Sequence, residues 1–319
     1  MNGKLKIFCG SSNPNLANSI CEHLGVQPGK INIHRFSNDN IKVKIEENVR
    51  NDDVFVIQTA APPVNDHLME LLIIIDALRY ASAGRITAVT PYYFYSRSDK
   101  KDEPRISITA RLVSDLLQTA GANRILAMKL HAPQLMGFPR IPIDQLMANG
   151  LLLDYFKECI DLDNTVIVAP DVGSAKGSKC FARALNLPMV IIDKERLGDQ
   201  EEVSAGAVIG DASGKDVLIT DDEILTGKSI LQAIRILRKI GTGKIYVSCT
   251  HGFFSNNALD KFCEYPIEVL VTTDTLPCVA RPQKLPLVVL SVADLFAKAI
   301  VAIHEGESVG DLFPADVRI

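Results

Sequence analysis

The sequence predicts an α/β protein of two tandem domains, each a mainly parallel sheet flanked by helices, with a β-hairpin flag in the first. Short apolar runs alternate with stretches whose apolar residues recur at helical spacing, from Leu5 to His304. The alternation restarts at Gly150. One segment is also repeated. Asp53-Val-Phe-Val-Ile, a loop, a Leu/Ile-rich helix and Gly84-Arg-Ile-Thr-Ala-Val parallel Asp216-Val-Leu-Ile-Thr, a loop, Ile-Leu-Gln-Ala-Ile-Arg-Ile-Leu and Gly243-Lys-Ile-Tyr-Val-Ser. A strand-helix-strand unit that occurs twice reads as a duplication, not a solenoid.

In chain order, Leu5 to Cys9 reads as a first strand, and Gly-Ser-Ser-Asn-Pro then opens a weakly amphipathic helix to about Leu24. Asn32 to Ser37 and Ile41 to Ile45 alternate like strands around a polar tip, Asn38-Asp39-Asn40, which makes a hairpin with Phe36 beside its tip. Val54 to Gln58 is a buried-strand run, Leu68, Leu71, Leu72, Ile75 and Leu78 share a helical face, and Ile86 to Thr90 is the next strand. Pro91 to Arg105 passes from aromatic to densely charged. Its first half should pack, and its second should face a ligand or solvent. Helix Ile108 to Ala120 and a strand from Arg124 to Leu130, ending at His131, complete the first domain, residues 1–149.

The second domain, 150–294, runs through helix Leu151 to Ile160, strand Val166 to Val168, the turn Pro170 to Ser174, helix Lys176 to Leu185 and strand Met189 to Ile192. Lys194 to Ala205 is polar without a clean period and is expected to be a mobile loop. After Val217 to Ile219 come two acids and a Thr-Gly-Lys-Ser turn, then a helical pattern from Ile230 to Ile240. Strand Ile245 to Cys249, helix Asn257 to Phe262, strands Val269 to Thr272 and Leu287 to Leu290, and helix Val292 to His304 follow. The C-terminal helix and tail, 295–319, are expected to return to the first domain.

Composition bounds the partners. With 319 residues, 47% hydrophobic and 23% charged, the chain can bury a full core. A formal charge of −4 gives no electrostatic reason to expect nucleic acid. The 7 cysteines are scattered, with no Cys-x-x-Cys pair, and read as reduced, mostly core thiols. No apolar run suits a signal peptide or a membrane span, so a cytoplasmic protein is expected.

Chemistry concentrates between Val217 and Ser229. Strand, acids Asp221 and Asp222, a phosphate-sized turn and a helix follow in order, as they would at the carboxyl end of a parallel sheet. A helix N-terminus offers free N–H groups to an anion, while two carboxylates suit sugar hydroxyls. The same residues alone fit a solvated turn and an ordinary helix start equally well. A nucleotide P-loop is excluded, because Asp222 stands where its first glycine is required. His131 and Asp171 close other strands, where a lone His is more often structural than a ligand. Lys194 and Arg196 are two cations at the mouth of the polar loop, a surface pair unless they close on phosphate.

Taken together, RFSN at 35–38, ENVR at 47–50, VNDHLMELLIIIDALR at 64–79, RITAVTPYY at 85–93, LHAPQLMGF at 130–138, PDVG at 170–173, IDKER at 192–196, DD at 221–222, TDT at 273–275 and ESVGDLF at 307–313 resemble one family, the ribose-phosphate pyrophosphokinases (phosphoribosyl pyrophosphate synthetases). The resemblance implies two phosphoribosyltransferase-type domains and transfer of the diphosphoryl group of ATP to the C1 hydroxyl of ribose 5-phosphate. It implies that Phe36, Asn38, Asp39 and Asn40 of the flag, with Arg97, Ser98 and His131, hold ATP. His131 and Asp171 would hold Mg²⁺. Lys194 and Arg196 would be the catalytic pair. Arg196, Asp221, Asp222, Leu225, Thr226, Gly227, Lys228 and Ser229 would bind ribose 5-phosphate. A homo-oligomer of the hexamer-of-dimers type, with ATP at a subunit interface, and a regulatory phosphate site at Arg50, Ser82, Arg105 and Ser308 are implied as well.

Several positions depart from the family pattern, which has Asp at Lys129, Gln at Ser98, Glu at Asn40, Asp at Leu225 and Gly at Lys228, and serines at Asn48 and Gly310. Leu225 removes an acid beside the reacting sugar, whereas Thr-Gly-Lys-Ser is similar to the phosphate loops of purine salvage phosphoribosyltransferases. Two alternatives therefore stay open. One is a catalytically weak homologue that acts as an associated or regulatory subunit; the other is a phosphoribosyltransferase that consumes the activated sugar.

Overall fold

The computed structural model describes residues 3–193, 208–277 and 282–313. These form two units, 3–146 with 275–277 and 291–312, and 147–193 with 208–274, 282–290 and 313.

The first unit is a five-stranded parallel sheet in the order β1-β4-β5-β6-β7, where β1 is Leu5–Cys9, β4 Asp53–Ile57, β5 Arg85–Thr90, β6 Arg124–Met128 and β7 Ile143–Leu146. Val54, Phe55, Val56, Ala88, Val89, Ile125 and Leu126 are all sealed from solvent, as central parallel strands covered on both faces require. Helix α1 (Pro14–Leu24) carries Pro at its first position and an Asn13 side chain that accepts from Leu16 N–H, and it ends on Gly25 at φ 66°. It packs against α8 (Ala293–Glu305), which therefore belongs to this unit. Helix α2 (Val64–Tyr80) packs against α3 (Thr109–Ala120). Its buried residues are Glu70, Leu71, Ile74, Ile75 and Leu78; the expected Leu68 and Leu72 are only half-buried, because the buried stripe is rotated toward Ile74.

Asp53, the first residue of β4, is fully buried and takes two bonds from Arg85, Nε to Oδ1 at 2.7 Å and Nη2 to Oδ2 at 2.5 Å. His304 Nδ1 lies 2.8 Å from Asp53 Oδ2, and Arg85 Nη2 also donates to the Ile303 carbonyl at 2.8 Å. This group fastens α8 to the start of two strands. The flag, β2 (Ile31–Arg35) with β3 (Ile41–Ile45), is an antiparallel pair outside the main sheet, and α2 packs on β3.

The second unit is a seven-stranded sheet, β10-β9-β8-β11-β12-β13-β14, parallel except for the two-residue β10 at its edge. The strands are β8 Thr165–Ala169, β9 Met189–Ile192, β10 Val208–Ile209, β11 Asp216–Ile224, β12 Ile245–Gly252, β13 Val269–Thr273 and β14 Leu287–Leu290. Helices α4 (Asn149–Cys159) and α5 (Ala175–Leu185) pack together, and α6 (Lys228–Lys239) and α7 (Ala258–Phe262) share a core with β11 and β12. Ile230, Ala233, Ile234 and Leu237 of α6 recur at three- and four-residue spacing and are buried there.

The duplicated segment has equivalent anchors in the two units. Gly84 N–H donates to the Asp52 carbonyl at 2.9 Å, and Gly243 N–H donates to the Lys215 carbonyl at 2.7 Å. Cysteines Cys21, Cys180 and Cys249 are buried, Cys9 and Cys263 half-buried and Cys159 exposed, so the thiols are less uniformly core than expected; none of these six is in a disulfide. Among the described residues no helix is long and apolar enough to cross a membrane.

Candidate active site

In the second unit the acids stand inside a strand, which corrects the expectation of an acidic tip beyond a short one. β11 continues through Asp221 and Asp222 to Ile224 because its parallel ladder with β12 persists, pairing Asp221 with Cys249, Glu223 with His251 and Ile224 with Gly252. On the other side the ladder with β8 stops at Ile219. The two aspartates therefore lie where β11 runs past its neighbour, open to the carboxyl end of the sheet.

The turn after β8 carries Asp171, whose Oδ1 accepts from Ser174 N–H at 3.0 Å while Ser174 Oγ donates to the Asp171 carbonyl at 2.9 Å. That turn opens α5, whose first residues are small enough to lie against β11. A Cβ on Gly177 would come 3.3 Å from Asp222 Oδ1, and Thr220 Oγ1 donates to Ser178 Oγ at 2.8 Å. Asp221 Oδ1 accepts from the Asp222 N–H at 2.8 Å. Burial pushes the Asp221 carboxyl up to about 7, with the Asp222 carboxylate adding to the rise and those of Asp171 and Glu223 contributing less; the Asp222 N–H opposes it.

Downstream, the Ile224 carbonyl accepts from Phe253 N–H at 2.9 Å and the Leu225 carbonyl from Ser255 N–H at 2.8 Å, which fixes the bend out of the strand. Gly227 then takes φ 72°, and a Cβ there would be 2.9 Å from Phe262 Cζ, so both backbone and space demand glycine. It is the N-cap of α6, with no side-chain cap. Lys228 and Ser229, expected in the turn, are the first two residues of this helix, because Gly227 supplies the turn by itself. The first turn of a helix has N–H groups with no intrahelical acceptor, and that of α6 follows the bend out of β11 directly. Leu225 is half-buried and Lys228 exposed.

The remaining candidates belong to the first unit. Phe36 is 45% exposed on the flag, where Phe36 N–H donates to the Asn40 carbonyl and Asp39 N–H to the Phe36 carbonyl, both at 2.9 Å. Asn38 Oδ1 accepts from Asn40 N–H at 3.3 Å, and Asp39 has φ 71°. Arg97 is exposed in the loop after β5. The Ser98 hydroxyl serves the backbone instead, accepting from Thr109 N–H at 3.1 Å at the start of α3 and donating to the Ser107 carbonyl at 3.2 Å.

His131 does not close β6, as expected from the sequence, but lies three residues past it. The β6–β7 pairing ends at Met128 with Leu146, Lys129 then takes φ 34°, and Leu130 N–H turns to Gln145 Oε1 at 3.1 Å. The structure ties these two loops together through a hydrogen bond from Gln134 Nε2 to the buried Asp99, a pair that no sequence pattern singled out. Of the residues expected at a regulatory site, Arg50 forms a bridge with Ala83, the neighbour of Ser82, whereas Arg105 lies in the loop before α3 and Ser308 follows α8.

The first unit thus gathers the flag and the strand-end loops, and the second gathers Asp171, Asp221, Asp222 and the α6 cradle. Lys194 and Arg196, with the polar loop to Ala205, lie outside the described residues. Among the described residues no group of three or more His, Cys, Asp or Glu side chains is placed to hold a metal ion.

Comparison with known proteins agrees with this architecture. Residues 5–121 match the model of the N-terminal domain of ribose phosphate pyrophosphokinase, and 201–314 match the phosphoribosyl synthetase-associated domain. A ribose-phosphate pyrophosphokinase of Deinococcus radiodurans is 48% identical over 97% of this chain and 98% of its own. One from Caldanaerobacter subterraneus subsp. tengcongensis is 46% identical over 97% and 98%. The crystal structure of phosphoribosylpyrophosphate synthetase from Mycobacterium smegmatis superposes with a TM-score of 0.89 at 38% identity, covering 95% of this chain and 99% of that one. With likeness of this depth running from end to end, the chain belongs to the ribose-phosphate pyrophosphokinase family.

Proposed function

We propose that this protein transfers the diphosphoryl group of ATP to the C1 hydroxyl of ribose 5-phosphate. The carrying observation is the juxtaposition, at one strand end, of the Asp221–Asp222 pair and the α6 N-terminus, in a chain similar along its length to ribose-phosphate pyrophosphokinases. The 5-phosphate is assigned to the cradle of Thr226, Gly227, Lys228 and Ser229, and the ring hydroxyls to the two aspartates.

In the reaction the C1 oxygen attacks the β-phosphorus, the bond from that phosphorus to the α,β-bridging oxygen breaks, AMP departs with the electron pair, and the hydroxyl proton is released. Such a transfer asks a protein for positioning and charge neutralisation more than for covalent work. Arg97, Ser98 and His131 are assigned to ATP together with Phe36, Asn38, Asp39 and Asn40 from the flag of a neighbouring subunit in a cytoplasmic homo-oligomer. Ser98 would serve through its backbone and its hold on α3, since its hydroxyl is committed there. Lys194 and Arg196 are the assigned catalytic pair.

Mg²⁺ is the assigned ion, since the carboxylate oxygens of Asp171, Asp221 and Asp222 are the hard donors it takes. Burial, with the Asp222 and Asp171 carboxylates beside it, raises the Asp221 carboxyl to about 7, and a cation bound nearby would relieve that rise. By the family pattern Asp171 and His131 would hold the ion, few protein ligands being needed when nucleotide phosphates supply the rest. Bound there, it would neutralise charge on the polyphosphate.

Purified protein with Mg²⁺, ATP and ribose 5-phosphate should release AMP and phosphoribosyl pyrophosphate, and Lys194→Ala should cut the rate by roughly a hundredfold or more. A folded protein giving no AMP above a protein-free control refutes the proposal. A second reading, a weak homologue that tunes active subunits, is favoured by Leu225, an apolar side chain at the turn beside the sugar acids. Leu225→Asp distinguishes them. A gain of tenfold or more, on the order expected for restoring a charged contact, identifies a degenerate site; a flat or reduced rate leaves the enzyme reading in place.

A further inference from the structure

Within the Arg-Phe-Ser-Asn run at 35–38, Phe36 and Asn38 are assigned to nucleotide, which leaves the role of Arg35 open. Strand alternation places it. Ile31, Ile33, Ile41, Val43 and Ile45 are half-buried on the side of the flag that meets α2, and Asn32, His34, Lys42 and Lys44 are exposed on the other. Phe36 belongs to the exposed side: its ring meets that of His34 edge-on at 4.9 Å, and both line a shallow groove of about 350 Å³. Arg35, registered opposite Ile41, points the other way. It is absent from the groove lining.

Its guanidinium is engaged instead by two carboxylates. Nη1 donates to Asp39 Oδ1 at 2.7 Å, and Nη2 donates to Asp66 Oδ2 at 2.8 Å. Asp39 is the tip residue at φ 71°, and Asp66 lies in the first turn of α2. We infer that Arg35 is a positioning residue: shared between the flag tip and the helix beneath it, its fork sets the orientation in which Phe36, Asn38 and Asn40 meet the nucleotide. The inference rests on the assignment of the flag to ATP given above.

The need for such a clamp follows from the architecture. A two-stranded hairpin is marginal by itself, and this tip is otherwise held by its own turn bonds. A planar guanidinium holds two carboxylates along separate N–H directions, which the single ammonium of lysine does not reproduce. The three side chains remain 43%, 81% and 39% exposed, so the clamp is modest and sensitive to salt. It tunes a binding geometry and does not maintain the fold.

The test uses the full-length protein, with Arg35→Gln, Arg35→Lys, Asp66→Asn and the Arg35→Gln/Asp66→Asn pair. Expected are a rise in KM for ATP of about threefold to tenfold in Arg35→Gln, less in Asp66→Asn and no further rise in the pair. The value of kcat and the KM for ribose 5-phosphate should stay within about twofold. Arg35→Lys should recover only part of the loss, and about 0.5 M salt should bring variant and wild type together. Amide hydrogen exchange of residues 36–40 in the unliganded protein should be faster in Arg35→Gln, a readout independent of activity. Unchanged exchange there overturns the clamp, as does a rise in KM shared by both substrates or matched by a fall in kcat. A wild type that makes no AMP overturns the nucleotide role along with the functional reading, while exchange alone still decides whether Arg35 orders the tip.

Discussion

Replacing Asp221 with asparagine should stabilise the unliganded protein, and should do so most at neutral and alkaline pH. The folded carboxyl holds its proton up to about 7, against 3.8 for the free side chain, so folding takes up a proton between those values. Its cost is therefore nearly absent below pH 3.8, grows as pH rises through the window, and is fully present above about 7. At 1.36 kcal/mol per pKa unit the gap corresponds to about 4 kcal/mol. Asp221 is half-buried and not sealed, and solvent screening lowers this to about 2 kcal/mol. Asparagine keeps the oxygen that accepts the Asp222 N–H and cannot ionise. Calorimetry in a chelating buffer without substrates should then show the transition of the second unit raised by about 5 °C at pH 8.5 in Asp221→Asn. At pH 4.5 the gain should shrink to about a quarter, since that pH lies only a short way into the window between 3.8 and about 7 over which the cost accumulates. Asp222→Asn, which removes the second-largest cause of the shift, should give part of the same effect. An equal difference at both pH values, or a wild type more stable than Asp221→Asn at pH 8.5, would show that burial beside Asp222 does not raise the Asp221 carboxyl.

Gly227→Ala should weaken ribose 5-phosphate binding tenfold or more and cost about 1–2 kcal/mol of stability, since the residue would sit at φ 72° with its Cβ 2.9 Å from Phe262 Cζ; denaturation and substrate titration check both. Asp53→Ala strands Arg85 beneath α8 and should destabilise the first unit by about 3–5 kcal/mol, read from urea unfolding, whereas Lys298→Ala, at an exposed pair on α8, should change stability by less than about 1 kcal/mol. Ser98→Ala should lower stability by about 1 kcal/mol through the lost hydrogen bond to Thr109 N–H, with a smaller effect on KM for ATP than Arg97→Ala produces.

The alternation of apolar runs is enough to locate most strands and helices, because burial on both faces of a parallel sheet leaves runs such as Val54 to Ile57 with no polar residue. The sequence expectation fails where an element's extent depends on a partner. β11 outlasts its apolar run because β12 keeps pairing with it, so acids that resemble a turn in isolation are strand residues. β7 escapes the sequence pattern because Ile143–Leu146 is short and half polar, and it is a strand only because β6 lies beside it. Side-chain ties across long separations leave no local signal: Asp53 meets His304 across 251 positions, and Arg35 meets Asp66 from a different element.

The duplicated segment shows why only its second copy is chemically legible. In the first copy β4 ends at Ile57, and the next two residues turn inward. Gln58 Oε1 accepts from Ser12 N–H at 3.0 Å, Gln58 Nε2 donates to Glu70 Oε1 at 2.8 Å, and Thr59 N–H donates to Ser12 Oγ at 2.8 Å. Buried Glu70, from α2, takes both the N–H and the hydroxyl of Ser11 at 2.7 Å. The turn after β1, a place where a parallel sheet could receive an anion, is thereby filled by a carboxylate of the protein itself. In the second copy the strand runs on with its acids half-buried, and no equivalent glutamate stands on α6, whose inward positions are Ile230, Ala233, Ile234 and Leu237. The first copy satisfies its polar strand end internally. The other carries its acids on a strand end that leads straight into the glycine start of α6, which is the arrangement the proposed sugar-phosphate site requires.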